Sequence, residues 1–410
     1  MPHRNFSSRA SRSQGFGLVE IMVAMVIGMI AMVVVMQVFF ESESKNRNAA
    51  GTADAQSAGV LAFYQLQSHI KKAGYGLDSI GLFNCQTSWT VPKPTPSATA
   101  AAAIDKAVYL APVSINPVGI KGGVTSTLIP AGDANTDTLL VFYGTSNGQP
   151  QGNVISSVSG STYTVQQQTM FAIGDRVLVG AGTSPDACGS TAYSIDYVTA
   201  VGASAPTVAV SGTAVAGNAL FNLGRGPSGA SAAITTSNPS NGPTILAFAV
   251  RSGSLTVCDF TVNDCSLAAN ASSTSVWVPI AANVPVMRAV YWSDASTAWN
   301  GSTSSNSQTQ PTNACGWARV RAVSLVLVIR NSERNKTMVT TTYPNNVASA
   351  ADANAPTWDQ VSVAPLVSTS GALGPDTAAD EEWKYYRYKT FQSLIPLRNV
   401  TWMGQPTGCT

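Results

Sequence analysis

Three residues near the start of the chain have the types and spacing to do chemistry together: Gly15, Phe16 and Glu20, in Gln14-Gly15-Phe16-Gly17-Leu18-Val19-Glu20. A cut after Gly15 gives Phe16 a free α-amino group. Glu20 is the single charge in an otherwise apolar run, where a carboxylate costs about 2.5 to 3.5 kcal/mol on insertion scales. The cation of one subunit's Phe16 can pair with the carboxylate of a neighbour's Glu20, which turns that penalty into a device for registering stacked helices.

Other spacings suggest chemistry and fail on their surroundings. Gly144-Thr145-Ser146-Asn147-Gly148 fits the Gly-x-Ser-x-Gly elbow and follows a candidate strand, but an elbow opens a helix and its family places a histidine later in the chain. The only histidines are His3 and His69. Gly224-Arg225-Gly226-Pro227-Ser228-Gly229 fits Gly-x-Gly-x-x-Gly, yet Pro227 disfavours the turn and helix a dinucleotide needs, and the next acid is Asp259. Asp133-Ala134-Asn135-Thr136-Asp137 opens like a calcium loop, but Thr138 and Gly144 stand where that loop needs Gly and Glu; a turn capping the next strand is the plainer reading. No Cys-x-x-Cys pair points to zinc. We expect no enzyme, metal or cofactor.

The element that must position Gly15, Phe16 and Glu20 is the run 16–40, FGLVEIMVAMVIGMIAMVVVMQVFF. As a helix it is about 37 Å long, against a hydrocarbon core of about 30 Å. The leader, 1–15, carries Arg4, Arg9 and Arg12 and no acid, so this end stays cytoplasmic and the bulk is translocated across the inner membrane. The helix continues to about residue 74: Val60, Phe63, Tyr64, Leu66 and Ile70 form one apolar stripe, Lys71 and Lys72 meet the carbonyl end, and Gly74 and Gly76 stop it.

Residues 75–410 read as an exported β-rich head. Of 410 residues 45% are hydrophobic and 11% charged, with a net charge of +2, so the surface is largely uncharged and gives no field for nucleic acid. Candidate strands are 107–113, 138–143, 176–179, 193–201, 207–210, 245–250, 255–262, 275–279, 286–292, 320–330 and 337–343. Val320–Arg330, apolar on both faces, is a central strand. Residues 144–242, rich in Gly, Ser and Thr, read as a loop-rich β elaboration, and 295–312 and 348–376 as long loops. Tyr385 to Thr390 alternates aromatics with Arg387 and Lys389 as a strand with one basic face; its cations adjoin Asp380, Glu381 and Glu382, which argues against nucleic-acid stacking. All six cysteines, Cys85, Cys188, Cys258, Cys265, Cys315 and Cys409, follow the span, as in disulfides of an oxidising compartment. Cys258 and Cys265 are close enough to staple a hairpin.

The leader, the Gly15-Phe16 junction and Glu20 abutting a membrane-length span closely resemble the class III signal of type IV prepilins and pseudopilins. The layout is similar to PilW-like minor pilins, with the Asp137–Tyr143 strand, the strand ending at Arg330 and Leu397-Arg398-Asn399 as weaker cues. The resemblance implies cleavage after Gly15 by prepilin peptidase, N-methylation of Phe16, and an α+β pilin fold in which the long helix packs on an antiparallel sheet. Other minor and major pilins, a tip adhesin and the inner-membrane assembly platform are its implied partners. It also implies a Cys315–Cys409 bridge in the manner of pilin C-terminal loops, leaving Cys85 with Cys188. Many major pilins have a proline mid-span where this chain has Gln37, which favours a minor subunit that helps prime a type IV pilus at or near its tip. A J-type pseudopilin of type II secretion and a tip-displayed adhesin are the alternatives.

Overall fold

A computed structural model describes residues 17–77, 79–91, 102–134, 136–145, 152–180, 193–225, 242–294, 304–340, 357–358, 361–362 and 384–403. The chain divides into two compact units, Met1–Thr52 and Ala53–Thr410. A single helix, α1, runs Leu18–Lys72; at 1.5 Å per residue it is about 82 Å long. Among the described residues beyond α1, strands are the main regular structure.

Within the second unit, the frame for α1 is a four-stranded antiparallel sheet ordered Ser304–Ser307, Val286–Asp294, Val320–Arg330, Tyr388–Pro396. Val320–Arg330 is central and buried except at Arg321 and Arg330, as its aliphatic sequence dictates. The C-terminal part of α1 packs on this sheet through Gly59, Phe63 and Gln67, which meet Ile329, Phe391 and Ser393, and buries Ala62, Leu66 and Ile70 in the main core. The stripe expected from the sequence is thereby corrected: Val60 and Tyr64 are 53% and 64% exposed. Counting bulky residues misplaces the face, because close approach selects small ones. A Cβ at Gly59 would run into the Phe391 ring and the Ile329 side chain.

A five-stranded antiparallel sheet, ordered Val278–Ala281, Ser254–Asp259, Thr244–Arg251, Leu139–Tyr143, Val113–Ile115, adjoins the first. The buried Tyr291 joins the two: its hydroxyl donates to Val113 O at 3.0 Å and accepts from Ile115 N at 2.8 Å. Burial pushes this hydroxyl's pKa far up. The expected strand 107–113 is instead two, Ala107–Tyr109 and Val113–Ile115, in different sheets, with Pro112 in the break. Ser275–Trp277 is a turn, and its strand begins at Val278. Residues 337–340 form no strand: Val339 N and Thr340 N both donate to Lys384 O, which builds no ladder.

The 144–242 region is less loop-rich than its composition suggests. Asp175–Gly180, Ala219–Arg225, Asn153–Ser159, Thr162–Val165, Thr207–Val210 and Tyr193–Val201 pair in that order, and the last pairs back onto the first, closing a ring. It has its own core, including Tyr163, Phe171, Val177, Val198, Val208 and Leu220. Tyr193–Val201 also pairs in parallel with Gln86–Val91, which joins the ring to the rest of the eleven-stranded sheet. A strand, Ser304–Ser307, occupies part of the expected 295–312 loop. Most of 348–376 lies outside the described residues.

Candidate assembly site on the N-terminal helix

Gly15 and Phe16 lie outside the described residues; the description begins at Gly17, whose carbonyl accepts from Glu20 N at 3.0 Å and Ile21 N at 3.2 Å to close the first turn. Glu20 therefore stands in the first turn of α1, at the positive end of the helix dipole, with its side chain exposed. Every large apolar side chain from Leu18 to Phe40 is exposed as well, between 46% and 76%. Such a surface is stable in lipid or against other helices.

Beyond the span the helix surface changes character. Lys45 Nζ lies 2.9 Å from Glu41 and Arg47 Nε 3.0 Å from Glu43, both i, i+4 pairs with the acid first, the favourable order. Lys45 holds the Glu41 carboxyl below its ordinary range. Matched charges at this point keep the helix regular where an apolar surface gives way to a polar one.

In the second unit the helix is gripped along its buried face and at its end. Phe63 and Phe391 ring centroids are 6.2 Å apart, and Gln67 Nε2 donates to Ser393 Oγ at 3.3 Å. The last carbonyls, which have no partner within a helix, are met by a side chain: Asn399 Nδ2 lies 3.1 Å from Lys72 O and 3.0 Å from Ala73 O. Gly74 then takes φ +79°, the left-handed turn expected of a helix-ending glycine, and its N–H donates to Phe142 O at 2.9 Å. His69 Nδ1 is hydrogen-bonded to the Tyr143 hydroxyl at 2.9 Å. Burial, with Lys72 nearby, pushes the His69 pKa down, so the ring is neutral at pH 7. This histidine is packed as a structural residue between Tyr143 and Phe248.

The remaining sequence candidates fall in place around this frame. Asp133 and Asp137 do not converge. The Asp133 carboxylate accepts from Ser252 N at 2.9 Å and Gly253 N at 2.6 Å, capping a hairpin turn, while Asp137 faces Arg288, Asn116 and Gln308. Ser146 to Gly148, and Gly226 to Gly229, lie outside the described residues. The C-terminal aromatics are already stacked by the protein's own cations: Arg330 sits 3.9 Å over the Tyr386 ring and Arg334 4.1 Å over Tyr385. Cys258 and Cys265 form a disulfide with Cα atoms 6.0 Å apart. Cys85 and Cys315 are each disulfide-bonded; Cys188 and Cys409, expected as their partners, lie outside the described residues. Sequence reasoning missed the grip of Asn399 on the helix end, although this asparagine closed the Leu397-Arg398-Asn399 cue.

Residues 10–36 match the family model of the prokaryotic N-terminal methylation motif. No curated protein and no solved structure matches the chain. The motif, at the head of a long apolar helix, marks a type IV pilin-like protein with a class III signal, of the pilin and pseudopilin kind. Such a signal implies processing by prepilin peptidase and partners in a pilus or secretion system, and the apolar helix fits a membrane-anchored precursor.

Proposed function

We propose that this chain is a minor pilin: held in the inner membrane until processed, then a low-abundance subunit that primes assembly of a type IV pilus at or near its tip, without catalysing a reaction. One observation carries the reading. The methylation motif, residues 10–36, runs into the start of a 55-residue helix whose apolar part is exposed, while Gly59, Phe63 and Gln67 further along it are packed on a sheet. Such a helix anchors a head and leaves its own span for neighbours. Its mechanism is assembly: the amine of Phe16 and the carboxylate of Glu20 register adjacent helices, and the span packs among them. Prepilin peptidase, the platform protein, other pilins and a tip adhesin are the partners.

The test is intact-mass analysis of the chain from cells with active prepilin peptidase. The expected mature form starts at N-methylated Phe16; a chain still starting at Met1 sinks the proposal. A pseudopilin of type II secretion would give the same mass, so loss of pili against loss of secretion in a deletion strain separates the two.

The ring within 144–242 favours a second reading, a tip-displayed binding module, because it has a core of its own. Its ends are close: Thr145 Oγ1 donates to Gly242 O at 2.9 Å. Residues 146–241 can therefore be replaced by a short Gly-Ser linker. Under the minor-pilin proposal this variant loses pili; intact pili with lost attachment would instead favour the binding module. Far-UV circular dichroism of the purified variant verifies that the head still folds, since Phe221 and Leu223 also belong to the main core.

A further inference from the structure

The four-stranded sheet that carries α1 ends on Tyr388–Pro396, and no described strand follows it. The hydrogen bonds at the two ends of this strand fix which of its backbone groups are left over. Asn331 N donates to Arg387 O at 2.8 Å, and Leu397 N donates to Arg321 O at 2.9 Å. Bonded and non-bonded pairs alternate along an antiparallel ladder. With Leu327 opposite Phe391 and Leu325 opposite Ser393, it is therefore Lys389, Phe391, Ser393 and Ile395 that bond to Val320–Arg330. Thr390, Gln392 and Leu394 turn their N–H and C=O groups to the open side, and none of these three N–H groups has a partner among the described residues. An edge of this kind is a template for one more strand.

The side chains round the edge indicate what strand fits. Counting from Gly59 at about 100° per residue, Phe63 and Gln67 stand at about 40° and 80° round α1, and Val60, Lys71 and Tyr64 at about 100°, 120° and 140°. Phe63 and Gln67 meet Phe391 and Ser393 on the edge strand, while His69, on the other flank, stacks on Tyr143 of the five-stranded sheet. Val60, Tyr64 and Lys71 therefore overhang the open side, and Val60 and Tyr64 are the exposed apolar residues that an added strand would cover. The charge there has one sign. Lys71 and Lys389 are exposed and have no ion pair among the described residues, and neither 55–72 nor 384–403 contains Asp or Glu. Two copies joined edge to edge would set these cations against themselves, which disfavours a second copy as the occupant. Gln392 and Leu394 are exposed in the folded chain, so the edge is open to a strand from outside. We propose that the Tyr388–Pro396 edge docks an extended acidic segment of another protein, which adds as the next strand of the sheet. Its backbone pairs with Thr390, Gln392 and Leu394, its apolar residues lie under Val60 and Tyr64, and its carboxylates meet Lys71 and Lys389. The site belongs to the head and does not depend on the minor-pilin role.

The test uses the full chain in detergent and, as probe, a fluorescent peptide of about nine residues that alternates Thr and Val between terminal Asp residues, long enough at about 3.3 Å per residue to span the edge. Saturable binding by fluorescence anisotropy is expected, about tenfold tighter than that of the same peptide with Lys at its ends, and lost when alternate peptide nitrogens are methylated, which removes main-chain donors and leaves the side chains in place. Absence of saturable binding, equal binding of the Lys-ended peptide, or binding that survives methylation would each overturn the proposal. Hydrogen exchange at single-residue resolution reads the edge itself. In the free chain the Thr390, Gln392 and Leu394 amides should exchange fast and those of Phe391 and Ser393 slowly, and the peptide should slow the first three. Slow exchange of those three without peptide overturns the proposal: at every protein concentration it means that the chain covers its own edge, and growing with concentration it means a second copy. Gln392→Pro removes one outward N–H at a position where an edge strand tolerates proline, and should weaken the peptide about tenfold. Tyr64→Glu, at an exposed position of α1 where folding is not at stake, sets a carboxylate against the acidic probe and should weaken it by a similar factor; unchanged affinity in Tyr64→Glu and in folded Gln392→Pro overturns the site.

Discussion

Asp137→Ala is expected to destabilise the head by about 3 to 5 kcal/mol, the usual cost of removing one partner from a buried ion pair. Asp137 is 1% exposed and its carboxylate accepts four hydrogen bonds: from Arg288 Nη1 at 3.0 Å, Asn116 Nδ2 at 2.9 Å, Ala289 N at 2.9 Å and Gln308 Nε2 at 2.6 Å. Burial pushes its pKa up, and these donors, Arg288 foremost, pull against that rise. Removing the carboxylate leaves a guanidinium that is only 15% exposed without this counter-charge, and orphans a buried backbone N–H. The position magnifies the loss. Asp137 N donates to Met287 O at 2.9 Å while its carboxylate holds Ala289, so one residue pins the segment leading into Leu139–Tyr143 to the sheet that carries α1. Urea unfolding of the mature protein in detergent, followed by tryptophan fluorescence, reads the effect. Asp137→Asn, which retains an acceptor but not the charge, should lose roughly half as much. A loss under about 1 kcal/mol for the alanine variant would show that the network is not what joins the two sheets.

Asp137 also shows where sequence reading stops. In the sequence it is one oxygen donor in a run that imitates a calcium loop; only the fold reveals that Asp133 and Asp137 turn to different partners, most of them more than a hundred residues away. The legible parts were those whose pattern is local. The strands Val320–Arg330, Tyr193–Val201 and Thr207–Val210 are carried by runs of apolar or alternating residues and stand at those limits, and the long apolar helix, expected over 16–74, runs Leu18–Lys72. Asn153–Ser159 was hidden because a register shift between Ile155 and Ser157 breaks its alternation, and Ala219–Arg225 because Gly224, at φ +123°, faces a similar shift at Arg176. The helix face was misjudged because glycine and alanine make the closest contact. The signal was the most legible feature, since its chemistry is confined to a few adjacent residues, and those are what the methylation-motif match covers.

Glu20→Ala is expected to leave cleavage after Gly15 intact and to lower incorporation of the protein into filaments by tenfold or more, equivalent to about 1.4 kcal/mol or more of lost registration. The direction separates two roles for this residue. A carboxylate within an apolar helix costs about 2.5 to 3.5 kcal/mol on insertion scales, so the alanine variant enters the membrane more readily than the native chain, and reduced incorporation cannot be blamed on failed insertion. Nor does the substitution disturb the head, because Glu20 lies in the first turn of α1, within the other compact unit. What is lost is the partner for a neighbour's Phe16 amine. Glu20→Gln tests the charge itself: it has nearly the same size and still accepts a hydrogen bond, yet should fall almost as far as alanine, whereas Glu20→Asp, charged but shorter, should recover part of the loss. Quantitative mass spectrometry of sheared filaments, normalised to membrane-bound mature protein, gives the ratio. Incorporation of the alanine variant at the native level would refute the pairing and leave Glu20 as an acid tolerated only for its place at the positive end of a helix.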